Sequence, residues 1–189
     1  MAEYIKYSEI SKDNSDSIFL RIKSNEPAIY FRLLGNAIKT CRVCHDKTWV
    51  NMSIDDADKL YQEHSYIFRF APRPTYAVLV IDRADDKVKI MEFPTTVFRE
   101  FSKRFGFTGH SPGDKSKGEE WKVKSTGTGK NTTYTAAYID TVALTEAELD
   151  RVKEFMAKKD LPDYYPTSSY AEVVQEFGLS KIKVSSLEI

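Results

Sequence analysis

Cysteine is nearly absent from this chain: the only two, Cys41 and Cys44, are three positions apart. Two cysteines this close cannot build the disulfide framework of a small secreted domain. No run approaches the roughly 18 uninterrupted apolar residues of a membrane span. Residues 1–6 also lack the basic and apolar regions of a secretion signal. The sequence therefore predicts a protein of a reducing, cytoplasmic compartment (the host cytoplasm if viral) with no membrane partner.

Net charge is also absent, because 28 Lys and Arg balance 28 Asp and Glu. The charges are unevenly distributed, however. Residues 21–50 carry six basic groups against two acids, and residues 115–130 carry five against two. Residues 140–189 carry ten acids against six bases. Since a polyanion responds to the local field rather than to the sum, this distribution favours a basic groove on a neutral protein.

Aromatic residues are abundant, at 13% of the chain. They alternate with basic residues along stretches that have the period of a β-strand, for example Phe19-Leu20-Arg21-Ile22-Lys23. A single-stranded nucleic acid is bound by cations that follow its phosphates and by flat rings on which its bases stack. The mixture therefore predicts binding of single strands.

The pattern of apolar residues predicts a mainly β protein, a small closed barrel with accessory helices and hence a β-rich α+β fold. Strands are expected at residues 17–23, 28–38, 66–70, 76–83, 87–93, 120–125 and 132–139. Helices are expected at residues 53–64, 145–158 and 169–178 and after Pro94, and a mobile loop at residues 109–118. We divide the chain into an N-terminal extension (1–16), a nucleic-acid-binding core (17–142) and a helical C-terminal appendage (143–189).

The segment from Tyr76 to Phe98 resembles a recurring segment of phage-type single-stranded DNA-binding proteins. An aromatic-led strand (YAVLVIDR) is followed by a turn and a returning strand (KVKIMEF) that enters a helix. The later runs WKVK, TGTGK and TYT, and the early runs FLRIK and YFRLLG, occur in the order typical of that family. The resemblance covers residues 17–150.

This resemblance implies an OB fold that coats single-stranded DNA without sequence preference in replication, recombination or repair. The implied partners are single-stranded DNA and replication or recombination proteins. The residues expected to contact phosphates are Arg32, Lys39, Arg42, Arg69, Arg73, Lys122, Lys124 and Lys130. The residues expected to stack on bases are Trp49, Phe68, Tyr76 and Tyr134.

The run from Cys41 to His45 has the spacing C-x-x-C-H. This spacing matches covalent haem attachment, but that chemistry normally requires export. Zinc takes four nitrogen or sulfur ligands, which Cys41, Cys44, His45 and His64 could supply. Members of the resembled family often carry a zinc-binding insertion near this place, with more cysteines. We favour a reduced, metal-free segment and expect no cofactor, with zinc as the alternative.

No pattern in the sequence indicates an enzyme. Residues 124–132 depart from a phosphate-binding loop at two positions, Lys124 and Asn131. No nucleophile and base are paired in a way that suggests hydrolysis. Two alternatives to DNA binding stay open: a viral structural or scaffold protein whose barrel binds protein, and a protein that binds single-stranded RNA.

Overall fold

The computed structural model describes residues 17–68 and 71–179. Within these residues the chain forms seven strands and four α-helices, so the predicted β-rich α+β class is confirmed. The strands are β1 (Phe19–Leu20), β2 (Ile29–His45), β3 (Thr48–Met52), β4 (Arg73–Asp82), β5 (Lys87–Pro94), β6 (Glu119–Thr126) and β7 (Thr133–Thr141). The helices are α1 (Ile54–His64), α2 (Thr95–Thr108), α3 (Glu146–Lys158) and α4 (Tyr170–Glu176). None of these four helices combines the length and the apolar character that crossing a membrane requires.

The long strand β2 organises the sheet, whose order is β1-β5-β4-β2-β6-β7 with β3 paired to β2. Its first residues pair with β6, and most of its length pairs with β4. The register with β4 shifts between Leu34 and Ile38, where Gly35 has a φ of +63°. A bulge with a glycine in this conformation bends a strand sharply. The bend lets one strand serve two neighbours, so the mixed sheet curls into a half-barrel.

The predicted closed barrel is observed only in part. Among the described residues β5 and β7 form no ladder with each other. Residues 17–26, which we call the crossing segment, run from β5 on one side of the opening to β6 on the other side. Ile90 N donates to Ile18 O at 2.8 Å, and Asn25 N donates to Ser125 O at 2.9 Å. Only Phe19–Leu20 of the predicted first strand therefore forms a ladder.

Three apolar clusters cover the sheet, and alternation along the strands assigns each residue to one of them. We call the side that packs on α2 the inner face, and it holds Phe31, Val78 and Trp121. The outer face of β4 and β5 packs on α3 and on a 3-10 turn at Leu161–Tyr164. The third cluster lies between the β2–β3 hairpin, α1 and α4.

The hairpin of β2 and β3 was not predicted from the sequence. Cys41 and Val43 are buried, whereas Arg42 and Cys44 project from the opposite face, so the segment is an ordinary half-buried strand. Asp46 and Lys47 make the connecting turn with φ of +45° and +69°. Two-residue hairpin turns need positive φ, which usually recruits Gly or Asn, so this turn carries no sequence signal. The predicted strand at 66–70 is wrong at its start, where a 3-10 turn occupies Ser65–Ile67.

A fully buried arginine holds the loop before β6 in place. Arg32 is 0% exposed, and its guanidinium donates to the carbonyls of Leu33, of Asp114 at 2.8 Å and of Val142 at 3.0 Å. Gly118 packs directly against this guanidinium, and a Cβ at that position would overlap it. The loop at 109–118, expected to be mobile, is therefore held by hydrogen bonds on several sides.

This packing predicts that Gly118→Ala destabilises the fold, whereas Gly106→Ala does not. The new methyl group at 118 would meet the Arg32 guanidinium, and overpacking of this kind costs about 1–3 kcal/mol. Gly106 lies in α2 with open space around its Cα, so alanine there is neutral or stabilises the helix by up to about 1 kcal/mol. Urea unfolding followed by circular dichroism measures both. Equal stability of the two variants would contradict the packing argument.

Candidate nucleic-acid interface

Trp49, Arg42 and Arg73 share one exposed face at the end of the sheet, which we call the Trp49 surface. Trp49 pairs with Cys44 in the β2–β3 ladder, and Arg42 pairs with Arg73 in the β2–β4 ladder. Directly paired residues project to the same face, and so do residues two apart in a strand. The indole is 59% exposed, which leaves it accessible to a ligand.

The two arginines of the Trp49 surface are in different electrostatic states. Arg42 is half-buried, and its Nη2 donates to Glu92 Oε1 at 2.7 Å. Its Nε lies 3.4 Å from Asn51 Oδ1, its neighbour on β3. Arg73 is exposed and makes no ion pair with any residue in the described ranges. The surface therefore offers one oriented guanidinium and one that a phosphate can neutralise.

Lys39 and Tyr76 lie on the opposite, inner face, where they form a directly paired couple of β2 and β4. Lys39 is exposed. The ring of Tyr76 stacks on Phe98 with centroids 3.9 Å apart and planes inclined by 4°. One side of the Tyr76 ring is therefore already occupied. The structure separates these two predicted contacts from the Trp49 surface by the thickness of the sheet.

Three predicted contacts are changed or left open by the structure. Arg32 is removed from the phosphate contacts, because its side chain is wholly buried and bound to backbone carbonyls. Phe68 is half-buried and packs on the third apolar cluster, with the Tyr61 ring 6.0 Å away. Its ring therefore serves packing first. Arg69 lies outside the described residues.

The remaining predicted contacts lie on β6 and β7. Lys122 and Lys124 are exposed on the outer face of β6, between the buried residues Trp121, Val123 and Ser125. Lys130 belongs to the 3-10 turn Gly129–Asn131 that joins the two strands.

Tyr134 projects to the inner face of β7, where it is half-buried against the first apolar cluster. It also lines a cleft of about 250 Å³ together with Arg21 and Arg42. The sheet therefore curls far enough to bring the start of β7 close to Arg42.

Tyr30 is an exposed aromatic residue that the sequence analysis did not select. It is 49% exposed and pairs directly with Lys122 on the outer face. Tyr30 and Arg32 are two positions apart in β2, which predicts that both lie on one face of the strand. Alternation does not predict which of the two residues another segment of the chain covers. Arg32 is covered by the linker before α3, and Tyr30 is not.

The four residues considered for zinc do not converge. Cys41 is 2% exposed in the third apolar cluster, and Cys44 projects from the other side of β2. His64 lies with its two ring nitrogens 3.3 Å from the hydroxyls of Tyr66 and Tyr170. In the part of the chain that the structure describes, no three His, Cys, Asp or Glu side chains form a metal-binding group.

Burial raises the pKa of the Cys41 thiol to about 11. At pH 8 such a thiol is only about 0.1% thiolate, and the thiolate is the reactive form. Iodoacetamide should therefore label Cys44 well before Cys41 in the folded protein, and both equally in urea. Peptide mass spectrometry follows the two rates, and Cys44→Ser should abolish the early product. Similar rates in the folded state, or stoichiometric zinc in the purified protein, would contradict this arrangement.

A scan against protein-family models finds no match for this chain, and a search of the curated proteins finds none either.

Proposed function

We propose that this protein binds single-stranded DNA without sequence preference, through an OB-type half-barrel, and catalyses no reaction. The observation that carries the proposal is the Trp49 surface, where an exposed indole lies on the same face as Arg42 and Arg73. A ring for stacking beside guanidinium groups for phosphates is the combination that sequence-independent binding of single strands requires.

The strand order supports the OB-type assignment. An OB fold is a partly open five-stranded barrel in which one bent strand is shared between two neighbours, and its ligands bind at the second and third strands and at two loops. Here β2 is the shared strand, β4 and β5 follow as a hairpin, and β6 and β7 complete the set. The places of the two loops are taken by the connection after β2, which in residues 46–68 includes β3 with Trp49 and α1, and by residues 127–132, which include Lys130.

The C-terminal helices restrict where a strand could bind. The α3 helix and the turn at Leu161–Tyr164 cover the central outer face of β4 and β5. The uncovered part of that face is the end at Arg73, Thr75 and Pro94, next to Arg42. This end of the face adjoins the Trp49 surface, which supports the Trp49 surface as the proposed binding site.

One observation favours a second candidate, a barrel that binds protein. Phe107 is 84% exposed at the end of α2, and Phe105 is also exposed, two residues before it. Phe105 lines a groove of about 380 Å³ together with Phe98, Phe101 and Pro112 among others. Exposed apolar residues of this kind are typical of protein interfaces. Salt separates the candidates, because binding of a strand weakens steeply as salt rises and apolar association does not.

The first experiment is a titration of fluorescent oligonucleotides of about 30 nucleotides, about twice the upper site size of one OB fold. We expect much tighter binding to a mixed-sequence single strand than to the matching duplex, because base pairing hides the faces on which Trp49 would stack. Equal affinity for the duplex would exclude the proposal. Matching RNA strands in the same titration decide between the two nucleic acids, since only RNA offers the 2′-hydroxyl.

Trp49→Ala should weaken binding of the single strand about 5- to 150-fold, the range for removal of one stacked base. Trp49→Phe keeps a ring and should weaken binding much less. Phe107→Ala removes an exposed ring on α2 and should leave strand affinity unchanged while weakening any protein association. Fluorescence anisotropy gives the affinities, and thermal unfolding confirms that the exposed positions leave the fold intact. If Trp49→Ala binds the single strand as tightly as the wild-type protein, the Trp49 surface is excluded as the binding site.

A further inference from the structure

A second group of exposed aromatic and basic residues lies at the opposite end of β2, and we call it the Tyr30 surface: Tyr30, Lys122 and Lys124. Tyr30 and Lys122 are directly paired across β2 and β6, and Lys124 follows on the same face of β6. Neither lysine makes an ion pair with any residue in the described part of the chain. The Tyr30 surface therefore has the same two chemical elements as the Trp49 surface.

The backbone of Tyr30 is fixed while its ring is free to receive a ligand. Its carbonyl accepts a hydrogen bond from Arg83 N at 2.9 Å, and its strand pairs with β6. The phenol oxygen has no hydrogen-bond partner within the described ranges. A tyrosine held in this way provides contact area at low cost in conformational entropy, because only two side-chain torsions remain to be ordered.

Tyr30 also lines a cleft of about 900 Å³, to which the crossing segment contributes Arg21 and Lys23. Basic residues of the crossing segment therefore line the same cleft as the ring. The carboxylates in the cleft are already engaged with cations. Asp82 and Asp85 bind Lys89 at 2.7 and 2.8 Å, and Glu120 accepts from Arg83 Nε at 2.8 Å. Glu26 makes only a loose, exposed pair with Lys23 at 3.7 Å.

Acidic groups lie near both ends of the Tyr30 surface: Glu120 and Asp140 at one end, and Glu26 of the crossing segment near the end at Ser125, where it pairs with Lys23. Asp140 is exposed on β7 and pairs with Glu120, next to Lys122 but away from Lys124. Toward the C-terminal end of β6, Lys122 is followed on the same face by Lys124, which pairs with Thr135 of β7. Along β6 itself the outer-face side chains change from the acidic Glu120 to the basic Lys122 and Lys124, so phosphates are favoured beside the two lysines.

From these observations we infer that the Tyr30 surface is a second contact for the single strand, with Tyr30 stacking on a base and Lys122 and Lys124 binding phosphates. This inference rests on the proposed function. Twelve residues separate Tyr30 from Arg42 along the bent β2 strand, so the two surfaces lie at most about 40 Å apart. A strand of about 30 nucleotides can reach both, since even stacked nucleotides advance about 3.4 Å each.

The test compares Tyr30→Ala with Tyr30→Phe on the strand of about 30 nucleotides. We expect Tyr30→Ala to bind about 5- to 150-fold more weakly, and Tyr30→Phe to bind nearly as the wild type because it keeps the ring. Thermal unfolding should be unchanged in both, because the ring is exposed. If Tyr30→Ala binds the strand as tightly as the wild type while Trp49→Ala binds it more weakly, this inference is overturned and the proposed function stays intact.

Lys122→Ala combined with Lys124→Ala supplies a readout that a structural role would not change. The slope of log affinity against log salt should flatten by about 0.7 for each phosphate that a lysine no longer neutralises. The control is Lys103→Ala with Lys153→Ala, which removes the same charge from exposed positions on α2 and α3. Equal slopes for the two double variants would overturn the inference. Failure of the wild-type protein to bind any single strand would instead overturn the proposed function and this inference together.

Discussion

The buried guanidinium of Arg32 connects three parts of the chain that are far apart in sequence. Burial lowers the pKa of this guanidinium, and its cost in free energy is offset by hydrogen bonds to carbonyls of β2, of the loop before β6 and of the linker before α3. Val142 N in turn donates to Gly118 O at 2.9 Å, and Leu144 N donates to Lys115 O at 3.1 Å. The path of the linker that leads into α3 therefore depends on one side chain of β2.

A second ionic group fixes where α3 begins. Burial alone would lower the pKa of Arg83, but its bonds to Glu120 and Glu148 raise it above the ordinary value. Arg83 Nη1 donates to Glu148 Oε1 at 2.6 Å, and Glu148 also caps α3 at Thr145. With α3 held there, the middle of the outer face is covered, and the Trp49 and Tyr30 surfaces remain open at its two ends.

The sequence predicted the elements whose signals are local. Period-two alternation located β4, β5, β6 and β7, and the helices predicted from residues 145 and 169 are observed, with capping boxes at Thr145 and Ser169. The sequence could not predict which faces of the strands would be covered by segments that come later in the chain. Arg32 and Tyr30 have the same periodicity, yet Val142, 110 residues downstream of Arg32, determines that only Tyr30 is exposed. The C-x-x-C-H spacing, which left zinc as the alternative, does not bring Cys41 and Cys44 together, because two residues of a strand three positions apart project to opposite faces.

The crossing segment determines the order in which the molecule can be completed. Ser24 reaches Ser125 across 101 residues of sequence, and Ile18 bonds Ile90 on the other side. At synthesis rates of about 5–20 residues per second, Ser24 emerges about 5–20 s before its partner. Contacts between residues so distant in sequence form slowly, after the local hairpins. The crossing segment is therefore made before both of its partners, and its contact with Ser125 cannot form until β6 has been made.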